Sequence, residues 1–204
     1  AEVNEEIRNQ QLKSIWNRFG LYIIAVALFI IFAVGGYEVN NYWNSKVSEN
    51  ESNLFDSAIL MIEEGNEEGG YNKLIELSEG KTGYKGLALF RLSSESYNKD
   101  NFIQAIEFLK RASEDSSLTK KLREFAKLKA GLILVDHGTV DDVKNLLNDI
   151  TVKNGPFAFH AKEIIALSLL NNNMDLEAKL IFEDIASDVA APPVLARRAE
   201  IFLK

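Results

Sequence analysis

The sequence contains no cysteine, and this absence removes three kinds of chemistry. Without thiols the chain can form no disulfide framework, no thiolate zinc site and no cysteine nucleophile. Proline occupies only three positions and histidine only two, so turns that depend on proline and acid–base chemistry that depends on imidazole are scarce. The net charge is −7, which argues against a dedicated nucleic-acid binder because such proteins carry a basic field.

The motifs that resemble catalytic or ligand-binding signatures are all incomplete. His137 follows Asp136, but no GxSxG elbow accompanies the pair, and His160 has no partner at metal-ligand spacing. The segment 80–82 has the Gly-Lys-Thr end of a phosphate-binding loop, but the glycine required five residues earlier is replaced by Ile75. We therefore predict no catalytic, cofactor-binding or metal-binding residue, no small-molecule substrate, and a protein that is not an enzyme.

A run without any charged residue, residues 19–37, lies near the N-terminus. As a helix rising about 1.5 Å per residue it measures roughly 28 Å, close to the thickness of the hydrocarbon core of a bilayer. A signal peptide would have a shorter apolar core with a small-residue cleavage site, and a buried helix of a soluble protein rarely lacks charge for so long. These comparisons favour a membrane span. Its predicted anchor residues are Leu21, Ile24, Leu28, Ile31 and Phe32, and its predicted interfacial aromatic belt consists of Trp16, Tyr37, Tyr42 and Trp43.

The basic residues beside this run predict its orientation. Arg8, Lys13 and Arg18 precede it, whereas only Lys46 follows it closely, so the positive-inside rule places the N-terminus in the cytoplasm. The first 18 residues look amphipathic and either lie on the membrane surface or simply lead into the span. The predicted segments are a cytoplasmic amphipathic segment at 1–18, the transmembrane helix at 19–37, a juxtamembrane linker at 38–46 and a helical-repeat domain at 47–204.

The rest of the chain repeats a helix-pair pattern. Ala105, Val143 and Ala178 are separated by 38 and 35 residues, and each is preceded twelve residues earlier by a small residue and followed four residues later by a large apolar one. A small residue in one helix allows close approach of the next, and the apolar spacing gives the second helix one buried stripe. The predicted packing positions are Ser93, Ala105, Leu109, Gly131, Val143, Leu147, Ala166, Ala178 and Phe182.

Polar turns at 98–101, 136–139 and 171–173 separate the two helices of each pair. An earlier pair is indicated by apolar positions within 54–62 and 71–77, and a last helix by 194–203. The period and the small-to-large pattern resemble the tetratricopeptide repeat in a degenerate form without its usual first-helix tryptophan. The predicted fold class is all-α, with a single N-terminal transmembrane helix followed by an α-solenoid of helix hairpins.

Stacked helix hairpins create a concave surface that binds an extended chain or a partner protein. The candidate lining residues of this groove, taken from the first helices of the pairs, are Phe90, Tyr97, Lys127 and Leu134. Seven basic residues between Lys110 and Lys129 stand out in the acidic domain. A solvated helix face is the favoured interpretation of this cluster, and contact with an acidic partner or lipid headgroups is the alternative.

The whole arrangement resembles a known family. The resemblance lies in Glu2-Val3-Asn4-Glu5-Glu6-Ile7-Arg8, Leu12-Lys13, Trp16, Phe19-Gly20, Gly35-Gly36-Tyr37, Tyr42-Trp43-Asn44 and Thr82-Gly83-Tyr84-Lys85-Gly86-Leu87-Ala88. This chain resembles the bacterial membrane-anchored tetratricopeptide-repeat-like family that includes the ancillary subunit of the SecYEG translocon, and its N-terminal segment looks like the alphaproteobacterial branch.

The resemblance implies a bacterial inner-membrane protein with a cytoplasmic N-terminus and a periplasmic repeat domain. The implied partners are the Sec translocon and a membrane-anchored periplasmic chaperone of the prolyl-isomerase type, and the implied role is assistance to newly exported proteins. No catalytic residue and no cofactor follow from it. Two other functions stay open at this point: a membrane-tethered regulator of envelope stress, and a structural adaptor of envelope assembly.

Overall fold

The structure, a computed structural model, describes the backbone of residues 2–152 and 155–204. In the first helix, side chains before Val34 are described only at Trp16, Leu21, Tyr22, Val26, Phe29, Ile30 and Phe32. Every regular element in the described residues is an α-helix. The helices are α1 (Glu2–Glu63), α2 (Glu67–Ser78), α3 (Gly83–Asn98), α4 (Phe102–Glu114), α5 (Lys120–His137), α6 (Val140–Thr151), α7 (Ala158–Asn171), α8 (Asp175–Ser187) and α9 (Pro193–Phe202).

The chain divides into two compact units, Ala1–Asn50 and Glu51–Lys204. In the first unit the described side chains of the predicted anchor, Leu21 and Phe32, are exposed, and so are those of the predicted belt, Trp16, Tyr37, Tyr42 and Trp43. A search of the described residues finds no helix with the length and apolar character needed to cross a membrane. The side chains of Ile24, Leu28 and Ile31 lie outside the described residues, so the span stays a prediction.

The second unit is a series of helix hairpins in which each helix from α2 to α9 packs against the next. The pairs α3/α4, α5/α6 and α7/α8 coincide with the predicted repeats, and α9 follows as the last helix. We call α3, α5, α7 and α9 the first helices. The helix α5 contacts α7, and α7 contacts α9, so these three first helices lie side by side. This is the packing expected of tetratricopeptide-like hairpins.

The turns between paired helices use residues that tolerate left-handed backbone. Asp100, between α3 and α4, has a φ of 56°, and Asn173, between α7 and α8, has a φ of 58°. Asn and Asp adopt this conformation more readily than other non-glycine residues, because their short polar side chains bond locally. The polar stretches at 98–101 and 171–173 therefore act as the hairpin turns that the sequence predicts.

Polar side chains cap the starts of five helices. Each accepts a hydrogen bond from a backbone N–H of the first turn, which satisfies a donor that the helix leaves unpaired. The capping residues are Asn66, Thr82, Asn101, Thr119 and Thr139. At α6 the cap is reciprocal, since the Asp142 carboxylate also accepts from the Thr139 backbone N–H at 3.0 Å. The Thr139 hydroxyl also donates to this carboxylate at 2.7 Å, and the hydrogen bonds from the hydroxyl and the backbone N–H of Thr139 lower the pKa of Asp142 below its ordinary value.

The core runs through the second unit as one contiguous cluster of apolar residues. All nine predicted packing positions are buried in it or at its edge: Ser93, Ala105, Leu109, Gly131, Val143, Leu147, Ala166, Ala178 and Phe182. Gly131 on α5 shows why a small residue recurs at this place. A Cβ atom added there would lie 2.8 Å from Leu147 Cδ1 and 3.3 Å from Ile164 Cγ2, so a side chain would displace the α6 and α7 side chains that pack on α5 at this place.

Candidate binding groove

The helix α5 carries a second stripe of large side chains on a face directed away from Gly131. Phe125, Lys129 and Leu132 stand at positions i, i+4 and i+7, which share one side of a helix. Phe125 is 42% exposed and Leu132 is 51% exposed. These two large apolar side chains and the lysine between them lie at the surface of the domain.

Two cavities open on either side of this stripe. Cavity A, between α3 and α5, has a volume of about 410 Å³, and cavity B, between α5, α7 and α9, has a volume of about 500 Å³. Lys129 and Leu132 line both cavities, which therefore adjoin at these two side chains, and we call the two cavities together the groove. The remaining lining of cavity A is Ser93, Ser94, Tyr97, Asn98, Ile133, Asp136 and His137. The remaining lining of cavity B is Phe125, Leu128, Phe157, His160, Glu163, Ile164, Leu167, Arg198 and Phe202.

A row of rings runs along the groove from one first helix to the next. The ring centroid of Phe90 on α3 lies 6.0 Å from that of Phe125, which in turn lies 6.4 Å from that of Phe157. The Phe157 ring meets the imidazole of His160 at 6.1 Å in an edge-to-face arrangement. These separations fall within the range of favourable aromatic pairs, so the row ties α3, α5 and α7 together along the groove.

An ion pair joins α9 to α7 at cavity B. Arg198 on α9 donates to the Glu163 carboxylate on α7 at 2.7 Å. Glu163 is 8% exposed, whereas the Arg198 side chain is 50% exposed, so the pair supplies a contact between the two helices with one partner in solvent. Within the described residues, Nδ1 of His160 beside it is buried without a hydrogen-bond partner.

The imidazole of His137 borders cavity A in a packed position. Its ring stacks on that of Phe102 with centroids 3.6 Å apart and an interplanar angle of 10°. The neighbouring Asp136 carboxylate accepts a hydrogen bond from the Asn171 side-chain amide at 3.1 Å. Within residues 2–152 and 155–204, no group of three or more His, Asp or Glu side chains converges as a metal site would require.

Most basic side chains of the repeat unit that pair with a carboxylate do so away from the groove. Arg111 donates to Glu79 at 2.6 Å, and this hydrogen bond and the positive charge lower the pKa of Glu79. Lys99 meets Glu67 at 3.0 Å, and the hydrogen bond and charge of that carboxylate raise the pKa of Lys99. These exposed pairs join one hairpin to the next and set their register more than they add stability.

The four residues predicted from sequence to line the groove fall in different places. Tyr97 lines cavity A at 47% exposure, and the half-buried Phe90 belongs to the aromatic row. Lys127 lies on another side of α5, where it forms an ion pair with Asp149 on α6 at 2.9 Å. Leu134 is 5% exposed and belongs to the core. The structure thus places Tyr97 in the groove and Phe90 against its wall residue Phe125, and it separates Lys127 and Leu134 from the groove.

The helical period explains this separation. Lys127 and Leu134 each stand two residues after a groove residue, Phe125 and Leu132, and two residues turn a helix by about 200°. They therefore face the opposite side of α5 from the groove. The signal that would have identified the correct side is the second stripe on each first helix. Its members on α3, α5 and α7 are Phe90, Ser94 and Tyr97; Phe125, Lys129 and Leu132; and His160, Ile164 and Leu167.

Comparison with known protein families matches residues 13–180 to the family described as the tetratricopeptide repeat-like domain. The match includes the uncharged run at 19–37 as well as the hairpins from α2 into α8. No curated protein matches the chain significantly. No solved structure does so either. A tetratricopeptide repeat-like domain indicates protein partners for the groove.

Proposed function

The chain belongs to the tetratricopeptide repeat-like domain family, and from that premise we propose that it is a non-enzymatic, membrane-anchored scaffold of protein export. Its groove binds partner proteins in an extended conformation. Its partners are the Sec translocon and a membrane-anchored periplasmic chaperone of the prolyl-isomerase type, as the resemblance to the ancillary translocon subunit implies. Through both contacts it assists newly exported proteins.

The position of two adjoining cavities along the first helices supports this proposal. Cavity A, of about 410 Å³, and cavity B, of about 500 Å³, lie on the two sides of Lys129 and Leu132. A groove of this kind, lined by half-exposed rings and aliphatic side chains, fits an extended segment whose alternate side chains enter pockets.

The membrane anchor and the localisation rest on sequence. The run at 19–37 carries no charge, and three basic residues precede it against one that closely follows. We propose that it crosses the bacterial inner membrane with residues 1–18 in the cytoplasm and the repeat domain in the periplasm. A reporter enzyme that is active only in the periplasm, fused after Lys204, is expected to be active, and an inactive reporter with normal expression would contradict this topology.

Site-specific crosslinking in living cells tests the partners. A photo-crosslinking amino acid replaces Leu132 in the groove, and the matched control replaces Leu180, which is 66% exposed on α8 and lines neither cavity. We expect the groove probe to capture the translocon or the periplasmic chaperone and the control probe to capture neither. The proposal would be contradicted if neither probe captured the translocon or the chaperone, or if the groove probe and the control probe captured them equally.

A further inference from the structure

Lys129 occupies the point at which the two cavities of the groove meet. It lines cavity A from one side and cavity B from the other, together with Leu132. Its side chain is half-buried, and its ammonium nitrogen stands 5.7 Å from the centroid of the Phe125 ring. A cation in such a partly apolar setting interacts strongly with an anion that reaches it, because water screens the pair poorly there.

The ammonium of Lys129 has no carboxylate within 4.0 Å among the residues that the structure describes. Two carboxylates also line the groove. Glu163 is paired with Arg198, and Asp136 accepts a hydrogen bond from the neutral side-chain amide of Asn171. Asp136 stands seven residues further along α5, roughly 10 Å away along the axis, so it does not neutralise Lys129.

A lysine on the same helix shows the contrast. Lys127, two residues earlier, has its ammonium 2.9 Å from the Asp149 carboxylate. Most of the domain's paired lysines and arginines meet their carboxylates on faces that line neither cavity A nor cavity B. In a protein of net charge −7, an ammonium held in the groove without a carboxylate is the feature that calls for an anionic partner group.

We infer that the groove takes extended polypeptide segments that carry an internal acidic side chain between two apolar ones, and that Lys129 selects the acidic residue. The inference rests on the proposed function, which makes the groove a binding site for extended chains. It adds the class of segment and the residue that determines specificity. The aspartate or glutamate carboxylate of the segment pairs with the Lys129 ammonium, and the apolar side chains on either side enter cavities A and B.

The position of Lys129 between two cavities decides that the carboxylate belongs to a side chain. A carboxylate at the end of a chain would fill one cavity and leave the other empty, whereas an internal acidic residue lets the segment continue on both sides. In an extended strand, side chains two residues apart point the same way and lie roughly 6.6 Å apart. The expected pattern is therefore apolar, any residue, acidic, any residue, apolar.

Cavity B favours the larger apolar side chain of this pattern. Its walls include Phe125, Phe157, Leu167 and Phe202, and rings of this kind pair favourably with an aromatic guest. Cavity A has a more polar wall, with Ser93, Ser94 and Asn98 beside Tyr97. The two ends of the groove thus differ in chemistry, and this difference gives the bound segment a preferred direction.

Fluorescence anisotropy with defined peptides tests the inference. The probe is a fluorescein-labelled nine-residue peptide with Glu at its centre, Phe two residues before it, Leu two residues after it, and alanine and serine elsewhere. Three comparison peptides are measured in the same assay. Two have Gln or Lys in place of the central Glu, and the third is shortened so that it ends at the central Glu. The protein is the full chain in a mild detergent.

We expect Lys129→Gln to weaken binding of the Glu peptide at least about tenfold, the loss typical of one hydrogen bond to a charged group, and to leave the Gln peptide unaffected. Lys127→Gln is the matched control on the same helix, and we expect it to change neither. Lys129→Glu is expected to reverse the preference and favour the Lys peptide. Circular dichroism at 222 nm verifies that each variant is folded.

Three results would overturn the inference. They are equal affinity for the Glu and Gln peptides, an equal loss of affinity for the Glu peptide in Lys129→Gln and Lys127→Gln, and no binding of any peptide. Tighter binding of the shortened peptide would overturn the assignment to an internal side chain. The outcome is separable from that of the proposed function. Partner capture at Leu132 with charge-insensitive peptide binding refutes only the inference, whereas charge-selective binding without capture refutes only the partner assignment.

Discussion

The contact between Gly131 and Leu147 permits a sharp test of how the hairpins pack. Leu147 is fully buried on α6, and its Cδ1 lies 2.8 Å from the place where a Cβ atom on Gly131 would stand. Real Cβ atoms essentially never approach another heavy atom below 3.0 Å, so Gly131→Ala forces Leu147 to move. Because Leu147 is enclosed by the core, it has little free space into which it can turn.

The expected free energies follow from two opposed effects. Gly131→Ala gains up to about 1 kcal/mol from helix propensity and loses about 1–3 kcal/mol to overpacking, so we expect a net loss of roughly 1 kcal/mol. Leu147→Ala leaves a cavity and is expected to cost about 3–5 kcal/mol. In the double variant the new methyl group enters that cavity. Gly131→Ala should then stabilise the protein, and the two changes should couple favourably by about 1–3 kcal/mol.

Urea unfolding followed by circular dichroism at 222 nm measures these differences. Gly83→Ala at the start of α3 is the matched control, since a Cβ atom there would meet no atom within 4 Å. We expect that control to be nearly neutral. Additive free energies in the double variant would refute the close contact between α5 and α6. A Gly131→Ala variant as stable as the Gly83→Ala control would refute the steric argument itself.

Three further perturbations have definite expected results. Thr139→Ala removes the cap of α6 and should cost about 1 kcal/mol in urea unfolding, and an unchanged midpoint would contradict the cap. Arg111 lowers the pKa of Glu79 below its ordinary value of 4.5, so the ion pair contributes to folding stability above pH 4.5 and this contribution is lost as the pH falls through the lowered pKa. The small difference in urea midpoint between the wild type and Glu79→Gln should therefore vanish in acid. A difference that persists in acid would contradict the ion pair. Leu28→Lys should reduce membrane insertion by roughly 3 kcal/mol on the translocon scale in a glycosylation-reporter assay, and undiminished insertion would contradict a central place in the span.

The succession of helices could be predicted from the chain because its signals are local. The spacing of Ala105, Val143 and Ala178 reports the period of the hairpins, and the polar stretches between helices supply residues suited to turns. Asp100 adopts the left-handed backbone that its residue type tolerates. Such preferences act within a few residues, so they can be read without knowledge of the tertiary fold. The membrane span rests on the same kind of local signal and stays a prediction.

The groove could be predicted only in part. Tyr97 lines it and Phe90 packs against its wall residue Phe125. Lys127 and Leu134 face the other side of their helix, because α5 carries apolar residues on both sides and its sequence does not say which side meets α6. The ion pair between Arg198 and Glu163 joins residues 35 positions apart, and no pattern in the sequence reveals it.

The sequence by itself determined that this chain is a series of helix pairs with small residues where helices meet, because period and residue size act over a few residues. The tertiary structure decided which stripe of each first helix becomes a wall of the groove. Cavity B is assembled from α5, α7 and α9, and its opposite walls at Phe125 and Phe202 are 77 residues apart in the chain. Only the stacking of the hairpins brings these walls together, and it places Lys129, rather than Lys127, between the two cavities.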